Sequence, residues 1–259
     1  MASKKQPGKN SVAAARGSSV PWIMIAAVTV VVVFAGGIFG YVYMRYSANT
    51  EREAAVAPWT PSDSNRDPAR NIPGVTFKDY EAGKHVQPAQ RVKYEASPPF
   101  GGPHDGAWAA CNGVVYDSPV RTENFVHSLE HGAVWITYNP ERVDATGVEA
   151  LRKAVDGQQY LTMSPYPGLD KPISLQSWGR QLKVDSPADP RVDQFIRATR
   201  ANQYTHPEVG ASCDALGPGQ FDPDAPPSFD PNPPGPDAVP MAASRGSRAD
   251  QQLGQDNWM

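Results

Sequence analysis

The feature that most constrains this chain is an uninterrupted apolar run close to its N-terminus. Residues 17–44 contain no Asp, Glu, Lys or Arg, and the stretch from Trp22 to Phe34 is almost entirely apolar. About 20 such residues in a helix, at 1.5 Å per residue, span a hydrocarbon core of ~30 Å. Trp22 at one end and Tyr41 at the other are typical of interfacial positions. The sequence therefore predicts one transmembrane helix, residues 20–44, that makes the chain an integral membrane protein.

Basic residues on the two sides of this run predict its orientation. Four precede it and two follow it closely: Lys4, Lys5, Lys9 and Arg16, then Arg45 and Arg52. The positive-inside rule therefore predicts a basic cytoplasmic tail, residues 1–19, and an extracytoplasmic C-terminal domain at the cell membrane. A cleaved signal peptide is the alternative. We favour an uncleaved anchor because the run exceeds a 7–15-residue signal core and no A-x-A site follows it closely.

Composition predicts one folded domain between two irregular segments. We expect a stalk at residues 45–71, an extracytoplasmic globular domain at 72–215, and a disordered Pro-rich tail at 216–259, where aliphatic residues are scarce. The net charge of −3 gives no electrostatic footprint for nucleic acid. Strand-like and helix-like segments alternate within the domain. The sequence therefore predicts an α+β fold, a small mixed sheet with flanking helices.

The individual elements follow from hydrophobic pattern, caps and turn residues. We predict strands at residues 75–77, 86–94, 114–116, 133–138 and 160–163, with further strands between 173 and 184. Helices are predicted at 123–131 with Thr122 as N-cap and Gly132 as terminator, from Asp144 or Thr146 to Val155, and from Asp189-Pro190 to Arg200.

The only two cysteines, Cys111 and Cys213, predict a disulfide. Paired cysteines in a domain outside the cytoplasm are usually oxidised to a structural bridge. A thiolate metal ligand or a reactive thiol is the alternative.

Histidines mark the candidate site. His127 and His131 are four residues apart on the predicted helix and so share one face, where two imidazoles can bind one metal. His104 lies in a Gly/Pro-rich loop, residues 98–106, that can fold over the helix and bring a third ligand. Further candidate ligands are Glu130, Glu123, Cys111, Met163 and His206. Imidazoles suit zinc, copper, nickel or iron, and an added thioether or thiolate favours copper. The alternative is a structural hydrogen-bond network of the same histidines.

The segment His127-x-x-Glu130-His131 also matches the H-x-x-E-H motif of inverzincin proteases, in which the glutamate is the general base. The context differs from that motif. Inverzincins carry it on a longer helix, whereas Gly132 and a strand follow here at once, and no downstream helical glutamate is an obvious third ligand.

Several spaced motifs resemble one family. They are Pro98-Pro-Phe-Gly-Gly-Pro-His104, Trp108, Cys111, Val115-Tyr116, residues 126–134, residues 138–140, Ser164-Pro165 and residues 177–180. Together, over roughly residues 72–210, they resemble the domain-of-unknown-function 3105 family, whose members are largely actinobacterial envelope proteins. The resemblance implies a membrane-anchored envelope domain. It carries no established biochemistry.

Three hypotheses follow. The first is a membrane-anchored extracytoplasmic metal-binding protein, with copper preferred and zinc second, in which His104, His127 and His131 are ligands and Glu130 is a ligand or its neighbour. The second is a non-catalytic accessory subunit that binds a protein partner in an envelope membrane complex, with structural histidines. The third is a zinc hydrolase with Glu130 as base. Whether the protein is an enzyme stays open at this point.

Overall fold

The computed structural model describes residues 21–241. The predicted basic tail and the last part of the predicted Pro-rich tail, residues 242–259, lie outside the described residues. The chain divides into two compact units, residues 1–53 and residues 54–259.

The described part of the first unit is a single apolar helix. Helix α1 spans Trp22–Val56. An 18-residue window within it has a mean hydropathy of 2.5. By length and composition α1 can cross a membrane, and a signal sequence near the N-terminus passes the same test. The helix extends beyond the predicted boundary at residue 44 because Glu51, Arg52 and Ala54 are good helix formers.

The described part of the second unit, up to residue 241, is built from short strands and three α-helices. Its strands are β1 Val75–Phe77, β2 His85–Val86, β3 Val92–Lys93, β4 His104–Asp105, β5 Asn112–Val115, β6 Val134–Tyr138, β7 Leu161–Pro165, β8 Ile173–Ser177, β9 Arg180–Val184 and β10 Val239–Pro240. Its α-helices are α2 Thr122–Glu130, α3 Ala145–Val155 and α4 Pro190–Thr199, and two 3-10 turns lie at Ala57–Trp59 and Pro68–Asn71.

Six strands form one mixed sheet in the order β1-β9-β8-β6-β7-β5. Strands β6, β7 and β5 run parallel, and the β6–β8, β8–β9 and β9–β1 pairs are antiparallel. Helix α3 makes the crossover that parallel neighbours β6 and β7 require. Two short parallel pairs, β2–β4 and β3–β10, lie outside this sheet.

The sheet is covered on both faces, because side chains alternate along its central strands. On β6, Val134 and Ile136 belong to one core cluster, which includes residues of α3 and α4, and Trp135 belongs to another, which includes residues of α2. Phe125 of α2 stacks on Trp135 with ring centroids 4.3 Å apart and an interplanar angle of 8°. The predicted α+β fold with flanking helices is confirmed.

Helix ends follow the local signals in most places. Asp144 caps α3 by accepting a hydrogen bond from the Gly147 N–H at 2.7 Å, and Asp189 caps α4. Gly132 ends α2 with a left-handed φ of 95°. The prediction of Thr122 as N-cap is wrong, because α2 already begins at Thr122.

Residues near and beyond both predicted boundaries of the domain, 72 and 215, pack against it. Ala69 and Ile72, from or next to the predicted stalk, belong to a core cluster. Phe221, in the predicted disordered tail, is fully buried, and β10 extends the tail contact by pairing with β3. Parts of residues 216–241 therefore contact the folded domain. Phe221 fits an apolar cluster of the domain. Burial of its ring favours an ordered position although the residues around it in the sequence are mostly polar.

Candidate metal site

All five histidines of the chain lie around α2 and its C-terminal end. His127 comes from α2 and His131 is its C-cap residue. The parallel β2–β4 pair places His85 opposite His104, and His206, from the segment after α4, donates a hydrogen bond to the Glu130 carbonyl. Segments far apart in the chain thus bring their imidazoles to one end of one helix.

Four of the side chains form an inner group, His85, His104, His127 and Glu130. One ligand atom from each lies within 4.8 Å of every other. His104 and Glu130 have no exposed surface and His127 is buried, whereas His85 is exposed. This group can hold a metal ion, and it reaches the surface through His85.

Three side chains form an outer group, His127, His131 and Glu208. Their ligand atoms also lie within 4.8 Å of one another. Glu208 Oε2 lies 3.1 Å from His131 Nε2 and 4.0 Å from His127 Nε2. The Glu208 side chain is 39% exposed. His104 and His131, predicted as ligands of one ion, therefore fall into different groups that share His127.

Backbone carbonyls fix the orientation of three of these rings. In His104, His127 and His131 the Nδ1 atom faces a carbonyl oxygen, which can only accept a hydrogen bond, so Nδ1 carries the proton. The acceptors are the carbonyls of Gly102, Asp105 and Ser212, at 2.8, 2.7 and 2.6 Å. In the neutral ring the Nε2 lone pair is then free. Metal-binding histidines are typically held this way.

The most informative contact lies between His104 and Glu130. Oε1 of Glu130 accepts a hydrogen bond from the Gly83 N–H at 2.6 Å. Oε2 lies 3.0 Å from His104 Nε2, yet the alignment is not that of a hydrogen bond, and neither buried atom has a hydrogen-bond partner among the described residues. A buried polar atom without a partner costs about 1–3 kcal/mol. A cation placed beside both acceptors removes that cost.

Burial keeps the central imidazole neutral. Burial, reinforced by the neighbouring rings of His104 and His131, lowers the pKa of His127 from its ordinary 6.5 to about 2. Burial also lowers the pKa of His85. The contact with His131 is the main cause that lowers the pKa of Glu208. Neutral imidazole and ionised carboxylate are the protonation states that bind a metal.

His131 is held between two acceptors. Its Nδ1 faces the Ser212 carbonyl and its Nε2 faces the Glu208 carboxylate. Two acceptors require either two ring protons or one proton and a metal ion. In the neutral ring the outer group places the Nε2 lone pair 3.1 Å from a carboxylate oxygen, where one cation could contact both.

The predicted disulfide is present, and it anchors the outer group. Cys111 and Cys213 are bonded, with Cα atoms 4.6 Å apart, and the Cys111 N–H donates a hydrogen bond to the Cys213 carbonyl at 2.9 Å. Ser212, whose carbonyl orients His131, is the neighbour of Cys213. Neither cysteine is free to act as a thiolate ligand while this bond is intact.

Two tryptophans border the histidines. Trp108 lies with its ring centroid 4.8 Å from that of His131 and 5.5 Å from that of His127. Its Nε1–H donates a hydrogen bond to the Asp214 carbonyl at 2.9 Å. Trp178 meets His104 edge-on at 6.0 Å. The site therefore combines polar ligand atoms with an apolar border.

The other candidate ligands have different roles in the structure. Glu123 accepts a hydrogen bond from the Val92 N–H at 3.0 Å and lies 3.5 Å from the Arg121 guanidinium. Met163 is fully buried in the core cluster with Ile136, so it supplies no thioether ligand. His206 lies beside the site and belongs to neither group.

Sequence reasoning missed His85 and Glu208. His85 lies at the start of a predicted strand over residues 86–94, which the structure divides into β2 and β3 around Ala89 with a φ of 64°. Only the pairing of β2 with β4 brings it to the site. Glu208 follows the candidate His206 by two residues, and that spacing was the available signal.

The structure matches the arrangement expected of an H-x-x-E-H protease motif only in part. Glu208 does supply a third donor beside His127 and His131. Glu130, however, is fully buried, belongs to the inner group, and is held by the Gly83 N–H. Helix α2 also ends at Glu130 and has nine residues.

Residues 85–215, just over half of the chain, match the family described as protein of unknown function (DUF3105). The chain belongs to this family. No curated protein and no solved structure matches it. The DUF3105 region contains all five histidines, both cysteines, Glu130 and Glu208. The candidate site therefore lies entirely within the DUF3105 domain.

Proposed function

We propose that this DUF3105 protein is a membrane-anchored, extracytoplasmic metal-binding protein of an actinobacterial envelope, and that it holds copper in the inner group. The ligands are His104, His127 and Glu130, with His85 closing the group at the surface. His131 belongs to the outer group, which shares His127.

One observation carries the metal proposal. His104 Nε2 and Glu130 Oε2 are 3.0 Å apart, fully buried, and without a hydrogen-bond partner within residues 21–241. In the neutral ring, whose one proton lies on Nδ1 and is donated to the Gly102 carbonyl, Nε2 and Oε2 are two acceptors that face each other. Such a pair destabilises a protein that never binds a cation, whereas a bound cation would offset that cost.

The choice of copper rests on the donor set. Three imidazole nitrogens and one carboxylate oxygen suit zinc or copper, and for any given site Cu²⁺ binds more tightly than Zn²⁺ in the Irving–Williams order. The thioether argument no longer contributes, because Met163 is in the core. Zinc is the second choice.

The membrane location rests on two features. Helix α1 can cross a bilayer, and the disulfide indicates an oxidising compartment for the domain. Together with the basic residues before the helix, these support an anchored domain outside the cytoplasm.

The test is metal binding by the full-length chain in detergent. Cu(II), Cu(I) and Zn(II) are titrated separately in competition with chromophoric chelators. We expect one equivalent of copper to bind tighter than micromolar. His104→Ala and His127→Ala should each weaken binding by more than about 100-fold, because even residues that only support a ligand contribute 10–100-fold.

Two matched variants serve as controls. His206→Ala removes a neighbouring imidazole that lies in neither group, and Glu141→Gln removes an exposed carboxylate; both should bind like the wild type. Failure of the wild type to bind any of the three ions tighter than micromolar would rule out the proposal. If a stable protein partner then co-purifies, the accessory-subunit hypothesis takes its place.

The zinc hydrolase hypothesis keeps one favourable observation, because His127, His131 and Glu208 form the His₂Glu donor set of several zinc hydrolases. The burial of Glu130 opposes it, since a base must reach substrate. Zinc-loaded protein that cleaves casein, with loss of cleavage in Glu130→Gln, would establish this alternative.

A further inference from the structure

We infer that the outer group is an exchange position, through which the ion enters and leaves the inner group while His127 stays bound to it. This inference rests on the proposed function. It assigns separate roles to the two groups: the inner group holds the ion, and His131 with Glu208 transfers it.

The shared ligand is the first argument. His127 belongs to both groups, and its Nδ1 is committed to the Asp105 carbonyl at 2.7 Å. Only Nε2 remains, and one lone pair binds one ion. The two groups are therefore alternative positions for a single ion, and an ion that moves between them keeps its bond to His127.

The difference in exposure between the two carboxylates indicates the direction in which the ion leaves. His104 and Glu130, at the inner end, have no exposed surface. The Glu208 side chain is 39% exposed at the outer end. An acceptor molecule in solution can replace Glu208 as a ligand, whereas it cannot reach Glu130. Exchange by stepwise ligand replacement can therefore begin at Glu208 in the outer group, and His85 is the exposed ligand of the inner group at which it would otherwise begin.

The donor sets give the relative strength. Each group contains one carboxylate, so the electrostatic attraction for a cation is similar at the two positions. The inner group has three imidazoles and the outer group has two. The ion therefore rests at the inner position. It reaches the outer position when His131 and Glu208 replace His85, His104 and Glu130 around His127, which exchanges one carboxylate for another.

The outer group is also held in place. The Glu208 N–H donates a hydrogen bond to the Glu130 carbonyl at 3.1 Å, which ties Glu208 to the end of α2. The Ser212 carbonyl orients His131, and the adjacent Cys213 is bonded to Cys111. These contacts hold Glu208 and His131 beside His127.

His85 provides the competing route, since it is the exposed member of the inner group. The experiment must therefore compare the two exits. Full-length protein in detergent is loaded with one equivalent of Cu(II), mixed with excess EDTA, and followed by recovery of the tryptophan fluorescence that Cu(II) quenches. Equilibrium affinity is measured on the same samples.

Glu208→Gln and His131→Ala should slow the transfer to EDTA by about tenfold or more, while weakening affinity far less than His104→Ala does. Glu141→Gln should transfer copper at the wild-type rate. Glu208→Gln is conservative and partly exposed, so it tests the idea even if His131→Ala fails to fold.

Three results would overturn the inference. Wild-type transfer rates in Glu208→Gln would show that the outer group is not used, and slow transfer in His85→Ala alone would place the exit there. Losses of affinity in Glu208→Gln as large as in His104→Ala would make Glu208 a ligand of the resting ion. Absence of copper binding by the wild type is a different result, because it removes the proposed function itself.

Discussion

Glu130→Gln should stabilise the metal-free protein, although it alters a fully buried position. The glutamine oxygen can still accept the hydrogen bond from the Gly83 N–H. Its amide nitrogen would replace Oε2, 3.0 Å from His104 Nε2, and a small rotation of the carboxamide would align it to donate to that lone pair. Two unpaired buried acceptors become one hydrogen bond. Two groups that cost about 1–3 kcal/mol each are paired, and the second amide hydrogen is left without an acceptor, so the free energy of unfolding should rise by about 1–3 kcal/mol.

Adding copper should reverse the order of the two proteins. A ligand present at about 1,000 times its Kd stabilises the folded state by about 4 kcal/mol. The wild type gains this contribution, whereas the variant has lost a charged ligand and gains much less. The glutamine variant should therefore melt higher in chelator and lower in copper.

Thermal melts of the full-length protein in detergent, with chelator or with copper, measure both effects. A change of 1 kcal/mol corresponds to about 2–4 °C for a domain of this size. Glu123→Gln is the matched control. Glu123 is also a buried carboxylate of α2, but it is satisfied by the Val92 N–H and by Arg121, so its loss should destabilise the protein in both conditions.

The direction of the change in melting temperature without metal distinguishes two interpretations of the contact between His104 and Glu130. If His104 were a structural imidazolium paired with Glu130, glutamine would leave a buried charge without its partner, and breaking such a pair costs about 3–5 kcal/mol. A lower melting temperature for Glu130→Gln in chelator would therefore refute the reasoning from unpaired acceptors.

Other predictions test the surroundings of the site. Gly132→Ala should cost about 2–4 kcal/mol, because the φ of 95° is unfavourable for alanine and the new Cβ would lie 2.7 Å from the His206 ring; Gly157→Ala, at a φ of 67° with no atom within 4 Å, should cost about 1 kcal/mol, and equal costs in urea unfolding would contradict this. The metal-free protein should lose stability as the pH falls below 6.5, because the unfolded chain binds a proton at His127 that the folded protein, with a pKa of about 2, does not. The loss is about 1.4 kcal/mol per pH unit, it is absent above pH 7, and a flat profile in urea titrations from about pH 7 to 5 would exclude it. Phe221→Ala should destabilise the domain by about 3–5 kcal/mol, as for any fully buried phenylalanine; an unchanged melting temperature would show that the tail does not contribute.

The sequence was informative wherever a local signal decides the structure. Asp144 and Asp189 predicted the starts of α3 and α4, and Gly132 the end of α2. The buried tail residue Phe221 could not be predicted in this way. Its ring meets Tyr116 edge-on, with centroids 6.1 Å apart, and nothing near it in the sequence identifies that partner.

The same division applies to the site. His127 and His131 were predictable because helical spacing places them on one face. His85 was not, because a two-residue strand has no periodicity and its position depends on pairing with β4. Glu208 was not predictable from local spacing. Its position depends on a hydrogen bond to the Glu130 carbonyl at the end of α2 and on a disulfide between cysteines 102 residues apart in the sequence. Contacts between segments far apart in the sequence place both residues at the site.

The carbonyl oxygens that orient three of the imidazoles have a consequence for how the site can vary. Side-chain substitution does not remove a main-chain oxygen, so neighbouring positions can drift in sequence without releasing the rings. Divergence in metal preference among relatives should therefore arise by exchange of the ligands themselves. A designer who wishes to convert this scaffold to another ion can leave its loops untouched and vary only the two carboxylates.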